Sequence, residues 1–232
     1  MYNLAVILHQ NVIGYSEIIK NDRNAESILR TLSEEMGELA TEVSIHIGHS
    51  YKSSGSDGVL GEAIDIIAAA SDLSYCFNLH DHVESELDRL VCLKQHIGES
   101  SDQHDLSNLY LHMMMLQGSI TERYIFKEIN RCNRSRKNNL VDDIARLIFN
   151  ASEIIESVCS DRNEGVSLMV TKLEKWKQCY SLPEGYSIGT WEDDGKEGYI
   201  FYTDEHGIPP VEVYETKKEA MKAAWSEYNY SK

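Results

Sequence analysis

The sequence predicts a mainly α-helical fold, built as two successive helical bundles and followed by a small ββα-type appendage. Three observations predict it. Apolar residues recur three and four apart through most of the first 180 positions, the spacing that lines one face of a helix. A stretch of this pattern returns 81 residues later, Gly37 matching Gly118 and Leu39 matching Ile120. After Leu182-Pro183-Glu184-Gly185 the helical spacing gives way to short alternating runs. The expected boundaries are residues 1–98 for the first helical repeat, 99–182 for the second and 183–232 for the appendage.

Helices are predicted over residues 3–20, 25–48, 57–80, 83–97, 105–130, 138–160 and 164–180, with polar loops such as 50–58 and 98–102 between them. Gly37 sits inside the second helix, where glycine lowers helix propensity and a small side chain permits close approach of a neighbour or a substrate. In the appendage, Tyr186 to Trp191 and Gly198 to Thr203 predict strands, Asp204-Glu-His-Gly207 a turn and Val211 to Tyr214 a further strand. Pro209 and Pro210 confine that strand to an edge or a bulge. Thr216-Lys-Lys-Glu219 has the form of a capping box and opens a last helix reaching about Tyr228. Some fifty residues supply little core by themselves.

Five carboxylates interrupt the apolar stripes of two of these helices. They lie in Glu34-Glu35-Met36-Gly37-Glu38 and in Glu62-Ala63-Ile64-Asp65. Residues three or four apart share a helix face, so Glu34 and Glu35 lie near Glu38, and Glu62 near Asp65. Leu32, Leu39 and Val43 flank the first group, and Ile64, Ile66, Ile67, Ala68 and Leu73 surround the second. Facing carboxylates in a packed helical setting repel one another and lose hydration, and a bound cation removes both costs. All-oxygen donors without a cysteine pattern favour magnesium, or manganese, over zinc, and a magnesium ion that keeps some water is suited to gripping phosphates.

The stretch Leu32-Ser-Glu-Glu-Met-Gly-Glu-Leu-Ala40 resembles the first metal helix of the all-α nucleoside triphosphate pyrophosphatases, which include the MazG-like, dCTP pyrophosphatase and dimeric dUTPase groups. Gly61-Glu-Ala-Ile-Asp-Ile66 resembles their second. The family's four-carboxylate signature is matched at Glu35, Glu38, Glu62 and Asp65, with Glu34 as an additional leading acid. The resemblance implies a helical bundle that hydrolyses a nucleoside triphosphate to the monophosphate and pyrophosphate with Mg2+. It does not extend to the appendage.

The repeat then reads as a tandem MazG-like bundle with one catalytic and one degenerate half. Ala70-Ser71-Asp72-Leu73 matches Ala151-Ser152-Glu153-Ile154 and, after a two-residue insertion, Leu90, Lys94 and Gln95 match Leu173, Lys177 and Gln178. The second copy has lost its acidic face: Glu34, Glu35, Glu38 and Asp65 correspond to Met115, Leu116, Ser119 and Arg146, while Asp143 stands opposite Glu62. The chain thus carries something like the family's subunit pair, and both a homodimer and a pseudo-dimeric monomer are open. Arg131, Arg134, Arg136 and Lys137 fall in the loop equivalent to residues 50–57 and form the strongest basic cluster of the chain, a phosphate-binding group or a solvated loop tip. Lys94 is carried as a phosphate contact because family members often place a basic or amide residue there.

A net charge of −16 excludes a general binder of nucleic acid or anionic membranes. Five cysteines without short paired spacing predict reduced thiols and a cytoplasmic protein. The apolar run from Met1 to Leu8 is too short for a signal peptide or a membrane span. His46 and His49 read as ordinary helix residues, Met113 to Met115 as core or interface, and no glycine-rich phosphate loop is present. The expected function is a Mg2+-dependent nucleoside triphosphate pyrophosphohydrolase. The alternative is a non-catalytic, metal-dependent nucleotide-binding regulator.

Overall fold

The computed structural model describes residues 3–19, 24–97, 105–126, 134–159, 161–183, 185–193, 196–203 and 213–230. The chain divides into two compact units, one of Met1–Ser16 with Asp22–Val170 and the other of Glu17–Asn21 with Thr171–Lys232. Most of residues 1–182 therefore lie in the first unit, while residues 171–182 fall in the second with the strand-bearing tail.

The first unit is built from α1 (Leu4–Ile19), α2 (Ala25–His46), α3 (Gly58–Cys76), α4 (His80–Ile97), α5 (Leu106–Ile125), α6 (Arg134–Val158) and the start of α7 (Arg162–Tyr180). At its centre α3 packs on α6; α2 lies against α3, α5 against α6, and α2 and α5 also touch. The position of α3 follows from its composition: Val59, Ala63, Ile64, Ile66, Ile67, Ala70 and Leu73 are all buried, so it is apolar on more than one side. α6 supplies Leu140, Ile144, Leu147, Ile148, Ala151 and Ile155 to the same core.

The helix ends have local causes. Asn24 caps α2, its side chain accepting the Ser27 amide at 2.8 Å. Gly48, at φ +77°, turns the chain out of α2 while the His49 amide donates to the Ser44 carbonyl at 2.8 Å. Asn78, at φ +55°, does the same for α3, which stops at Cys76 instead of reaching 80, so that α4 starts at His80 instead of 83. α6 starts at Arg134 instead of 138, which places Arg134, Arg136 and Lys137 in its first turn and not in a loop. Arg131 lies outside the described residues, as do the expected turn at 204–207, the two prolines that follow it and residues 211–212.

Two aligned acids are buried in the core and each has a partner from another helix. Asp72 accepts the Ser16 hydroxyl of α1 at 2.9 Å, and Glu153 is paired with Lys94 of α4. His9 of α1 is also buried, with Nδ1 2.9 Å from the Ser71 hydroxyl, and burial lowers its pKa to about 4.

In the second unit, β1 (Tyr186–Asp193) and β2 (Lys196–Thr203) form an antiparallel pair in the register Tyr186 opposite Thr203. Tyr214 adds a bridge to Tyr199, each amide donating to the other's carbonyl at 2.8 Å. A Cβ at residue 198 would sit 2.3 Å from a Val213 methyl, so glycine is what lets this segment approach β2. The capping box is present: the Thr216 amide donates to Glu219 and the Glu219 amide to Thr216 Oγ1. It opens α8 (Lys217–Tyr230), which packs on the hairpin and buries Ala220, Met221, Ala224 and Trp225. The Trp225 indole donates to the Ser181 carbonyl at 2.7 Å. The result is mainly helical with one small antiparallel sheet. Among the described residues no helix is long and apolar enough to cross a membrane.

Candidate metal centre

α2 and α3 run side by side, and the acids that interrupt their apolar stripes meet at that contact. Glu35 of α2 and Glu62 and Asp65 of α3 each offer a carboxylate oxygen, and these oxygens lie within 4.8 Å of one another. Glu62 is buried and the other two are half-buried, framed by Leu32, Met36, Leu39, Ile64 and Ile66 of the core. Three carboxylates this close repel one another, the more so where protein replaces water. All the donors in the group are hard oxygens, with no histidine or cysteine among them, which matches magnesium or manganese.

Of the remaining predicted acids, Glu34 and Glu38 are exposed on α2 and stand outside this group, Glu38 one turn on from Glu35. His46 and His49 are exposed and likewise outside it. Lys94 is turned to the protein interior's acids: its Nζ is 2.7 and 2.5 Å from the two carboxylate oxygens of Glu153 and 3.6 Å from Glu156. The described structure thus gives it carboxylate partners.

One further acid, missed in the sequence, belongs to this face. Glu42 follows Glu35 and Glu38 at the same helical register and is buried. It accepts the Ser54 hydroxyl and, at 2.7 Å, the Gly55 amide, and so ties the loop between α2 and α3 back onto α2. That loop leads directly into the turn carrying Glu62. The i, i+3, i+7 spacing of Glu35, Glu38 and Glu42 was available in the sequence; the loop groups that fold onto Glu42 were not.

The positions 81 residues further on are filled differently. Ser119, aligned with Glu38, donates to Asp143, aligned with Glu62, at 2.7 Å. Arg123, aligned with Glu42, donates from Nε to the same Asp143 oxygen at 3.0 Å. A guanidinium therefore stands against this acid, and Arg146, aligned with Asp65, pairs with Asp142 at 2.9 Å on its own helix. Among the described residues the carboxylate group lies on α2 and α3.

Comparison of the chain with protein-family models, with curated proteins and with solved structures finds no match in any of the three.

Proposed function

We propose that this chain is a divalent-cation-dependent nucleoside triphosphate pyrophosphohydrolase, converting a nucleoside triphosphate and water to the monophosphate and pyrophosphate. One observation carries the reading: Glu35, Glu62 and Asp65, from two helices matching the paired acidic motifs of the all-α pyrophosphatases, bring three carboxylate oxygens within 4.8 Å. Glu35, Glu62 and Asp65, with Glu38 one turn away, are the residues to hold Mg2+ or Mn2+. The cation supplies neutralisation of triphosphate charge and acidification of a water for attack at the α-phosphorus. The residues of the chain do the rest. Glu62, the most buried of the three, fixes its side of the site through the packing of α3. Glu34, exposed next to Glu35 on α2, would be either a further ligand or the residue that orients the attacking water. Glu42 holds the α2–α3 loop and with it the register between the two acidic helices.

A second reading, a regulator that binds nucleotide without turnover, is favoured by the Ser119, Asp143 and Arg123 network, which replaces one acidic face in a two-copy bundle. The two are separated by measuring pyrophosphate release from a panel of ribo- and deoxyribonucleoside triphosphates with Mg2+. The native chain is expected to turn over at least one of them, and Glu62→Gln and Asp65→Asn to lower the rate by about a hundredfold or more, the scale on which groups stabilising transition-state charge act. A folded native chain that releases pyrophosphate from none of them rejects catalysis.

A further inference from the structure

α5 carries apolar residues on two sides. One side meets α6 and α2 and buries Leu109, Met113 and Ile120. The other leaves Leu111, Met114, Met115, Ile125 and Phe126 exposed at 54, 46, 73, 64 and 61%. On a helical projection Leu111, Met115, Gly118 and Ile125 fall on one face, with Met114 and Phe126 to either side and the exposed Glu122 among them, so the apolar residues form a stripe that one acid interrupts. An exposed apolar stripe of this size marks an interaction surface.

The fold does not require this. The positions of α2 81 residues earlier are Arg30, Ser33, Glu34 and Ser44 opposite Leu111, Met114, Met115 and Ile125, with Ile45 opposite Phe126, a mainly polar set. α5 also has an unusual charge pattern for a chain with a net charge of −16: its 20 residues include Glu122 and Arg123 as the charged ones, and Arg123 is engaged with Asp143.

We propose that the outer face of α5 is a self-association surface on which a second copy of this chain packs its own α5 antiparallel, across a two-fold axis at Gly118. Three features select a second copy. The stripe is centred on Gly118, with Leu111 seven residues before and Ile125 seven after, so an isologous antiparallel contact sets Leu111 of one copy against Ile125 of the other. Space beside Gly118 is open, and a glycine at the crossing point permits close backbone approach. Charge points the same way: two strongly acidic molecules meet with least repulsion on a neutral face, while a stripe with Glu122 as its one acid offers a basic partner little to recognise. The exposed side chains amount to on the order of 500 Å2 of apolar surface per copy, so a pair would bury about 1,000 Å2, the size at which specific interfaces begin.

Sedimentation velocity of the full chain over a concentration series tests this. The native chain should sediment as a reversible dimer. Met115→Glu should weaken association by about 30-fold or more, as a charge at the centre of an apolar contact does, with unchanged far-ultraviolet circular dichroism. Leu93→Glu, at an exposed apolar position on α4, should leave the dimer intact. Gly118→Cys should give a reducible covalent dimer under mild oxidation, beyond any formed by the native thiols, whereas Gly37→Cys should not; this arm needs no disruptive charge. A native monomer at every concentration, a dimer indifferent to Met115→Glu, or no cross-link through position 118 would each overturn the proposal.

Discussion

At the scale of single residues, the buried polar groups divide into those visible in the sequence and those that only the fold explains. The acids at 35, 62 and 65 stand out in sequence because each breaks an apolar stripe of known period, and the structure brings them together. The partners of Asp143 were not visible: Ser119 and Arg123 are unremarkable residues of a helix, and only the packing of α5 on α6 reveals that an arginine stands against the acid that aligns with Glu62. His9 was equally silent, one histidine in an apolar helix. Its burial makes it consequential. With a pKa of about 4 in the folded chain against 6.5 when exposed, His9 takes up its proton in the unfolded state first. Its contribution is therefore present in full above pH 6.5 and is lost as the pH falls toward 4, by about 3 kcal/mol in all. Urea unfolding at pH 7.5 and pH 4.5 should show this loss in the native chain and a much shallower one in His9→Gln. An equal loss in both would show that His9 does not govern the acid limb.

At the scale of elements, periodicity located the helices and the two hairpin strands among the described residues, while the strand expected from Val211 to Tyr214 is described there only as a bridge at Tyr214. The errors were at ends, where cap geometry decides. Asn78 in a left-handed conformation ended α3 four residues early, and α6 extended four residues back through Arg134, Arg136 and Lys137, a run read as loop because it aligns with residues 50–57. Basic residues in a first turn oppose the helix dipole, so propensity arguments ran against the observed start. The α2–α3 loop shows how an element acquires order from one side chain. Glu42 accepts two of its donors, and a Cβ at Gly55 would come within 3.1 Å of a Glu42 oxygen. Glu42→Ala should speed amide exchange at Gly55 at least about tenfold and lower stability by about 1–2 kcal/mol, the cost of leaving bonded groups without partners. Unchanged exchange at Gly55 would mean that the loop is ordered by other contacts.

At the scale of the whole molecule, the mainly helical architecture and the strand-bearing tail were legible from pattern alone. Composition changes at residue 183, but the second compact unit takes in α7 from Thr171 and a short piece near residue 19, because packing and not composition sets that boundary. Net charge of −16 is legible at once, and three of the acids, Glu35, Glu62 and Asp65, come together where α2 meets α3. A cation that binds only the folded chain must then stabilise it, by an amount that grows with its concentration. The most direct test is the melting temperature under rising Mg2+ and Mn2+, for the native chain and for Asp65→Asn, with Ca2+ and added sodium chloride as ionic controls. The account predicts a saturable rise of several degrees in the native chain, stronger with Mg2+ or Mn2+ than with matched ionic strength, and its loss in Asp65→Asn. A native melting temperature that responds to Mg2+ no more than to sodium chloride would contradict it.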